Sequence, residues 1–352
     1  MKTNRVLRSA IIGLFTYGCL ISALAPAAAG SLSVAPQDTL LGVFPSPPRG
    51  PGPGRAASVK PGAGIVMTTT FGTPHTPSGN SFYPAYDSLE RIAYVPTVAG
   101  VTYLLNPRTL RTVGHFNSLS GGRVARVTPN NRMLLVLSGK KLAAYSTGSG
   151  HSRLFILPVG GNAIALSPDG RFAFVGGNMS AHLTEIRLPA GRIVHKFPIK
   201  RSGDLVWAHG QVFSANMKTG VVSVLNPHTG KIVAIPTPEK DPAFSYRNIL
   251  GAAAGIMQLA VSPDGLKVYG AGFSGHILVL SARDDAYLGG IPVAANANGP
   301  NRLSGLAVVN HGKDAVTTIE NLKETVVIRL SDGNILRVLQ NTAANRWVAT
   351  GP

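Results

Sequence analysis

The residues that could carry out catalysis are scattered along this sequence. Its nine histidines run from His75 to His311, and no two stand two or four residues apart, a spacing that paired metal ligands often have. The chain has no Gly-x-Ser-x-Gly nucleophile turn, no glycine-rich phosphate loop and no His-Glu-x-x-His motif. We therefore predict a protein that acts by binding, with no catalytic residue, metal or cofactor of its own.

Carboxylates, the ligands that hard cations need, are also scarce. Of the 15 acidic residues, Asp169, Asp264 and Asp332 stand in turn sequences, and the pair at 284 and 285 resembles another turn. The remaining candidates for metal or acid–base chemistry are Asp204, Glu239, Asp241 and Glu320. A lactonase-like, metal-dependent hydrolase built on these residues is an alternative function.

Basic residues dominate the charge, with 33 Lys and Arg and a formal net charge of +18. Charge of this size concerns partners and solubility rather than fold. It is compatible with nucleic acid, phospholipid headgroups or acidic polysaccharide as partners. The densest pairs are only Lys140-Lys141 and Lys200-Arg201, so a generally basic surface suited to an acidic medium is the alternative interpretation.

The first 29 residues are typical of a secretory signal. Three basic residues precede an apolar stretch from Ala10 to Ala25, and Ala27-Ala28-Ala29 offers a cleavage site. No later run approaches the roughly 18 apolar residues of a membrane helix, so we predict a periplasmic or secreted protein. The only cysteine, Cys19, lies inside the signal, where lipid attachment is the alternative to removal.

Residues 30–62 predict a disordered tether, because Pro45 to Gly54 is too rich in proline and glycine for helix or sheet. From residue 63 to residue 352, apolar runs alternate with turn residues, which predicts one all-β domain. The clearest unit runs from Ala163 through Ser167-Pro168-Asp169-Gly170, and a second copy of that turn begins at Ser262.

The turns recur at positions 128, 167, 207, 262 and 310. Four short antiparallel strands in each repeat of about 40 residues are typical of a β-propeller. Six units are recognisable, and strands from Gly64 to Thr70 and from Arg346 to Ala349 would complete a seventh. We therefore predict seven blades, with six as the alternative, and a surface insertion between Pro236 and Ile256.

The repeat resembles the YVTN-repeat propellers, and in fold it is similar to the heavy chain of methylamine dehydrogenase. The matching segments, none of which spells the tetrapeptide in full, are Ala93 to Thr97, Ala173 to Gly177, Val212 to Asn216 and Val268 to Gly272. The resemblance implies a β-propeller architecture. Its members include periplasmic proteins, DNA binders and redox-complex subunits, so a propeller subunit of an amine-dehydrogenase-like complex is a second alternative function.

Propeller geometry brings many basic residues to one mouth of the central channel. The loops that enter the innermost strands, and those between the second and third strands, ring that mouth. We call the following eight residues the basic rim: Arg123, Lys200, Arg201, Arg247, Arg302 and Arg346 on the first loops, and Lys218 and Lys323 on the second. We expect the basic rim to attract a polyanion, such as nucleic acid, or a protein partner.

Other residues fall close to this mouth. Asn162 and Asp204 lie on the first set of loops. Trp207 and Trp347 offer faces on which bases could stack, although a tryptophan on an inner strand is more often part of the core. The sequence therefore predicts an exported, monomeric binding or scaffold propeller with its binding surface at one mouth.

Overall fold

The computed structural model of the protein describes residues 39–44, 54–61, 65–71, 81, 83–239, 255–293, 301–339 and 346–350. Within these ranges, 28 strands form seven four-stranded antiparallel sheets. A single 3-10 turn, Asn310–Gly312, is the only helical element in the described ranges. The fold is a seven-bladed β-propeller, which confirms the architecture predicted from the repeat.

The strands follow the chain blade by blade. The closing blade starts with β1 (Thr39–Phe44), β2 (Gly54–Lys60) and β3 (Ile65–Phe71). Blade 1 contains β4 (Ala85–Asp87), β5 (Ile92–Pro96), β6 (Val101–Leu105) and β7 (Thr112–Asn117). Blade 2 contains β8 (Val124–Val127), β9 (Met133–Leu137), β10 (Leu142–Ser146) and β11 (Arg153–Leu157), and blade 3 contains β12 (Ala163–Leu166), β13 (Phe172–Gly176), β14 (Leu183–Arg187) and β15 (Arg192–Phe197).

The second half of the ring has the same order. Blade 4 contains β16 (Ser202–Ala208), β17 (Gln211–Asn216), β18 (Val221–Leu225) and β19 (Ile232–Pro236). Blade 5 contains β20 (Ile256–Val261), β21 (Lys267–Gly272), β22 (His276–Ser281) and β23 (Ala286–Pro292). Blade 6 contains β24 (Leu303–Val309), β25 (Asp314–Ile319), β26 (Glu324–Arg329) and β27 (Ile335–Leu339), and β28 (Arg346–Thr350) completes the closing blade.

The two ends of the chain share the closing blade, as predicted. Strand β28 is its innermost strand and pairs with β1, with Leu40 opposite Ala349 and Gly42 opposite Trp347. Strand β3 lies outermost and includes most of the predicted segment from Gly64 to Thr70. Because strands from both ends pair in one sheet, backbone hydrogen bonds between the two ends of the chain close the ring.

The propeller begins earlier than the sequence predicted. Strands β1 and β2 lie inside residues 30–62, which we expected to form a tether. Leu40, Leu41 and Val43 are fully buried in β1, as are Ala57 and Val59 in β2. These short apolar runs build the closing blade on either side of residues 45–53, which fall outside the described residues. The prolines and glycines between the two strands led to the prediction of a disordered tether.

Several predictions concern parts of the chain that are not described. Residues 1–29, the predicted signal, and residues 240–254, most of the predicted insertion, are outside the described residues. Arg247 and Asp241 fall within the second of these segments. In the described part of the chain, no helix is long and apolar enough to cross a membrane.

The core lies between neighbouring blades rather than within any one of them. Leu135 and Leu137 of blade 2 pack in one cluster with Val175 and Ile186 of blade 3. Trp347 of the closing blade packs in another cluster that includes Val316 of blade 6. Each sheet buries its two faces against its neighbours, so the seven blades stabilise one another as a single domain.

Strand direction sorts the loops onto the two mouths of the channel. Because neighbouring strands are antiparallel, the loops entering the innermost strands open on the same mouth as the loops between second and third strands. We call this the rim mouth. The turns between first and second strands, and between third and fourth strands, form the opposite end, which we call the far mouth.

Candidate functional site

Polar side chains from five blades converge near the rim mouth of the channel. Tyr83 precedes β4 in blade 1, whereas the others lie on innermost strands or, for Glu320, on the loop after β25. We call these residues the channel cluster: Tyr83, Arg126, Asp204, Ser304, Glu320 and Arg346. Their convergence could not be read from spacing, because each comes from a separate part of the chain.

Two arginines surround the ring of Tyr83. The guanidinium carbon of Arg126 lies 4.2 Å from the ring centroid and that of Arg346 lies 5.4 Å from it. The Tyr83 backbone is fixed by the next blade, since its N–H donates to the Arg123 carbonyl and its carbonyl accepts from the N–H of Ala125. Cation–π contacts of this kind are favourable when water is excluded, and Tyr83 is only 2% exposed.

Irregular innermost strands create the positions of Asp204 and Ser304. The pairing register shifts in β16, β20 and β24 at the same level of the ring. Such bulges release backbone N–H groups and redirect side chains. Asp204 Oδ2 accepts from the N–H of Leu259 at 2.7 Å, and Arg346 Nη1 donates to the Ser304 carbonyl at 2.6 Å. The bulges therefore connect blade 4 to blade 5 and blade 6 to the closing blade.

Gln258 occupies the bulge in β20 of blade 5, which lies between blades 4 and 6. Its Oε1 accepts from the N–H of Leu306 at 2.9 Å and from the N–H of Trp347 at 3.3 Å. Its Nε2 donates to the Trp347 carbonyl at 2.9 Å. Both polar atoms of this buried side chain have partners, as is usual for protein interiors.

Asp204 and Glu320 lie in a different environment from Gln258. Burial raises the pKa of Asp204, against the opposing effects of Arg346, the Tyr83 hydroxyl, the Leu259 N–H and Arg126. Burial likewise raises the pKa of Glu320, against Arg346, the Ser304 hydroxyl and Arg302. Both carboxyl groups are thus held beside cations in a site that disfavours their ionised form.

Several polar atoms of this region are buried without a hydrogen-bond partner in the described structure. They are Asp204 Oδ1, both carboxylate oxygens of Glu320, the hydroxyls of Tyr83 and Ser304, and the nearby hydroxyl of Ser81. The hydroxyls of Tyr83 and Ser304 approach the carboxylates closely enough to lower their pKa values, but neither pair reaches hydrogen-bond geometry. The rim end of the channel therefore carries unused hydrogen-bonding capacity.

The structure divides the basic rim into two groups. Lys200, Arg201, Lys218 and Lys323 are exposed at the rim mouth. Arg123 and Arg302 are half-buried, and Arg346 is only 4% exposed. Arg346 thus belongs to the channel cluster rather than to the surface, because its guanidinium is held by Tyr83 and the Ser304 carbonyl. Arg247 lies outside the described residues.

Exposed charge differs between the two mouths. The exposed cations of the rim mouth are Arg55, Lys140, Lys141, Lys200, Arg201, Lys218 and Lys323. In the described part of the chain, this mouth carries no exposed carboxylate. Among the described residues, the exposed carboxylates all lie at the far mouth: Glu90, Asp169, Asp264, Asp284 and Asp332. The exposed charged side chains described at the rim mouth are therefore all cations, and Glu324 beside Lys323 is half-buried.

Glu239 has a structural position at the start of the predicted insertion. Its Oε2 accepts from the N–H of Ser274 at 3.0 Å, and its Oε1 accepts from the Ser274 hydroxyl. His276 Nδ1 lies 3.0 Å from that same hydroxyl. Burial is the main reason that the pKa of Glu239 is raised. These contacts fix the end of blade 4 against blade 5.

The other residues singled out by the sequence belong to the architecture. Trp347 is buried and donates from Nε1 to the Thr318 hydroxyl at 3.0 Å, so it offers no stacking face. Trp207 packs against Phe174 with ring centroids 5.7 Å apart. Asn162 joins blades 3 and 4, because its Nδ2 donates to the Gly203 carbonyl at 2.8 Å.

Sequence reasoning missed three members of the channel cluster. Arg126 is one polar residue within the short strand Val124–Val127, and Ser304 lies in a bulge that alternation does not predict. Tyr83 precedes a strand of only three residues. The one available signal was the presence of an arginine, Arg126 or Arg346, on two otherwise largely apolar innermost strands.

The far mouth carries an open depression of about 310 Å³ between blades 4 and 5. Gln211 Nε2 donates to Asp285 Oδ1 at 2.9 Å across it. Its lining residues are His209, Gln211, Asn226, Lys231, Val233 and Asp285. Among the described residues, no three His, Cys, Asp or Glu side chains converge as a metal site there or elsewhere.

Comparison with known proteins yields likeness of fold alone. No family model and no curated protein matches the sequence. A functionally unknown protein from Desulfotomaculum acetoxidans superposes with a TM-score of 0.69 at 14% identity, covering 90% of this chain and 99% of its own. Dihydro-heme d1 dehydrogenase NirN, solved in complex with DHE, superposes with a TM-score of 0.61 at 14% identity, covering 94% and 78%. At such identities, the shared propeller carries no activity from one protein to another.

Proposed function

We propose that this protein is an exported, non-catalytic binding propeller of the YVTN-repeat type, whose rim mouth binds an anionic macromolecule. The observation that carries the proposal is that every exposed charged side chain described at that mouth is a cation. Cations from blades 2, 4, 6 and the closing blade surround one opening, so their potentials add over it. A long polyanion can contact several of them at once.

Within the rim mouth, blade 4 carries the densest group of exposed cations. Lys200 and Arg201 enter its innermost strand, and Lys218 lies on the loop between its second and third strands. Asn216 Nδ2 donates to the Lys200 carbonyl at 3.4 Å, which ties the two loops together. Lys140 and Lys141 lie on the equivalent loop of blade 2, across the mouth.

The test compares two charge-reversal variants with the same change in net charge. The rim variant replaces Lys140, Lys141, Lys200 and Lys218 with Glu, and the far-mouth variant replaces Arg108, Arg171, Arg192 and Arg283 with Glu. All eight side chains are exposed. Binding of labelled single-stranded DNA and of labelled polyglutamate is measured by anisotropy across a salt series.

We expect the rim variant to lose binding and the far-mouth variant to retain most of it. The wild-type affinity for single-stranded DNA should fall with salt, with a logarithmic slope of about 0.7 for each phosphate contacted. Equal losses in the two variants would mean that net charge alone governs binding, which would contradict a site at the rim mouth. Preference for polyglutamate over DNA would identify an acidic protein as the partner class.

Export has a separate test. A cut after Ala29 would leave β1 intact, because that strand begins at Thr39. We expect the protein recovered from the exported fraction to begin at Gly30, as read by N-terminal sequencing. Recovery of the full-length chain from the cytoplasm would contradict this part of the proposal.

The two alternative functions have less support. Glu239 is bound by Ser274, whereas Asp204 and Glu320 flank Arg346, so these carboxylates do not converge on a cation site. A hydrolase would show activity abolished by a chelator. If the protein is part of an amine-dehydrogenase-like complex, a small cofactor-bearing subunit should co-purify with it under native conditions.

A further inference from the structure

The channel cluster carries a second observation that the rim mouth does not explain. Tyr83, Asp204 and Ser304 are only 1–2% exposed, and each has a polar side-chain atom without a partner in the described structure. The unpaired atoms come from three different blades and meet around Arg346. Unpaired buried polar atoms are rare in native proteins and are strongly unfavourable when they belong to charged groups.

The neighbouring blade shows that this fold can satisfy a polar residue in the same position. Gln258 lies in the bulge of β20, as Asp204 lies near that of β16, and both of its polar atoms are paired. Asp204 uses only Oδ2, through the N–H of Leu259, and its Oδ1 remains unpaired. The difference points to a partner that is not part of the described chain.

The types of unpaired atom define that partner. In their ionised forms, which the neighbouring Arg346 favours, Asp204 Oδ1 and the Glu320 oxygens are acceptors, so they require a hydrogen-bond donor. Arg126 and Arg346 lie in the same cluster and favour an anionic acceptor. A simple anion would be repelled by the two carboxylates, and a metal cation would be repelled by the two arginines. A molecule that has both an ammonium and a carboxylate group matches both sets.

We propose that the channel cluster binds a small zwitterion, an α-amino acid, at the rim end of the channel. Its ammonium group donates to Asp204 Oδ1 and to the Glu320 carboxylate. Its carboxylate accepts from Arg126 and Arg346. The hydroxyls of Tyr83 and Ser304, which supply either a donor or an acceptor, complete the site. This site lies deeper than the exposed cations and is independent of polyanion binding.

Ligand chemistry provides the first test. The proteinogenic amino acids are added one at a time to the full-length protein, and thermal unfolding and calorimetric titration are measured. We expect at least one of them to bind saturably, with one molecule per chain. Glycine betaine has the carboxylate but no N–H donor, whereas methylammonium and acetate each have one charge only, so none of the three should bind. No saturable binding by any amino acid would overturn the proposal.

Variants provide the second test. Asp204→Asn keeps the size of the side chain and an oxygen for the Leu259 N–H, but removes the charge that faces the ammonium group. Arg126→Gln removes a cation that faces the carboxylate. We expect each to weaken binding at least about tenfold, which corresponds to about 1.4 kcal/mol. The matched control is Glu185→Gln, which neutralises a buried carboxylate that pairs with His195 elsewhere in blade 3 and should leave binding unchanged.

The same variants separate this site from the rim mouth. The rim variant should bind the amino acid normally, and Asp204→Asn should bind polyanions normally. Circular dichroism and unfolding curves show whether Asp204→Asn folds. If it does not, Arg126→Gln and the comparison with glycine betaine still test whether the channel cluster binds an amino acid. A crystal structure grown with amino acid that shows only waters, or Tyr83 closed on Asp204 and Ser304 closed on Glu320, would contradict the proposal.

Discussion

The carboxylates at the two ends of the channel differ in exposure, in the direction of their pKa shifts and in their hydrogen-bond partners. At the far mouth, the Ser167 hydroxyl and the Arg171 N–H lower the pKa of Asp169, and Asp264 has the same arrangement with Ser262 and Leu266. At the rim end of the channel, burial raises the pKa of Asp204 and of Glu320. The far-mouth carboxylates are satisfied by their own turns, whereas the channel carboxylates depend on other blades.

This comparison separates two uses of the same residue type. A turn aspartate is exposed and accepts hydrogen bonds from residues two positions away, so it builds the blade in which it lies. A channel carboxylate lies in a site that other blades complete, and it retains oxygen atoms that no described group uses. Residues of the first kind make the fold, and residues of the second kind are available for a ligand.

The largest contrast between the two ends should come from their arginines. Arg346→Leu leaves Asp204 and Glu320 buried without their closest cation, so we expect a loss of about 3–5 kcal/mol in unfolding free energy at neutral pH. Arg329→Leu removes the partner of Asp332 from an exposed pair 3.0 Å apart and should leave stability unchanged. Urea unfolding of both variants measures the difference. Similar small effects would show that Arg346 is not required by the buried carboxylates.

A second contrast is between two glutamines. Gln258→Leu would leave the N–H groups of Leu306 and Trp347 buried and unpaired, at about 1–3 kcal/mol for each group. Gln211→Leu, at the far mouth, removes half-buried hydrogen bonds to Asp285 and to the Ala282 carbonyl and should change stability by about 1 kcal/mol or less. Denaturant midpoints compare the two. Equal losses would mean that the bulges do not hold the innermost strands together.

The sequence predicted which carboxylates belong to turns, because turn sequences act over a few residues. Asp169, Asp264 and Asp332 could be assigned to turns because Ser-Pro-Asp-Gly and similar runs determine structure within four residues. The same local logic found the repeat and the strand at Arg346. Setting these aside left Asp204, Glu239, Asp241 and Glu320. Asp241 lies outside the described residues, and the other three have raised pKa values.

The arrangement of the channel cluster could not be predicted in this way. Arg346 was placed on an exposed rim, but its burial depends on Tyr83, which lies more than 200 residues earlier in the chain. Bulges in β16, β20 and β24 shift the alternation by one residue, which changes the side chains that reach the neighbouring blade. Strands β1 and β2 were missed because proline-rich sequence between them outweighed two short apolar runs.

A third contrast concerns pH. Because the folded-state pKa of Asp204 is raised, its contribution to stability is fully present below the unfolded value near 4 and is lost as the pH rises through the folded value. Asp204→Asn has no such loss, so its stability relative to the wild type should improve from about pH 4 to pH 7. For Asp264, whose pKa is lowered, the contribution is present above the unfolded value near 4 and is lost as the pH falls below it, so Asp264→Asn should compare worse at about pH 4 than at about pH 2. Unfolding curves at about pH 2, 4 and 7 test the two opposite signs.

The last contrast is between two serines, one at each end of the channel. The Ser262 hydroxyl accepts from the N–H of Lys267 at 2.9 Å and donates to Asp264, so Ser262→Ala removes the hydrogen bonds that define one turn. We expect a loss of about 0.5–1.5 kcal/mol, because the next two turn residues, Pro263 and Asp264, are exposed and water can replace each lost partner. Ser304→Ala, made in parallel, removes a buried hydroxyl that has no partner in the described structure, and it should change stability less than Ser262→Ala does. If Ser304→Ala instead proves the more destabilising of the two, the Ser304 hydroxyl is already engaged with Glu320 and the channel cluster is a structural network.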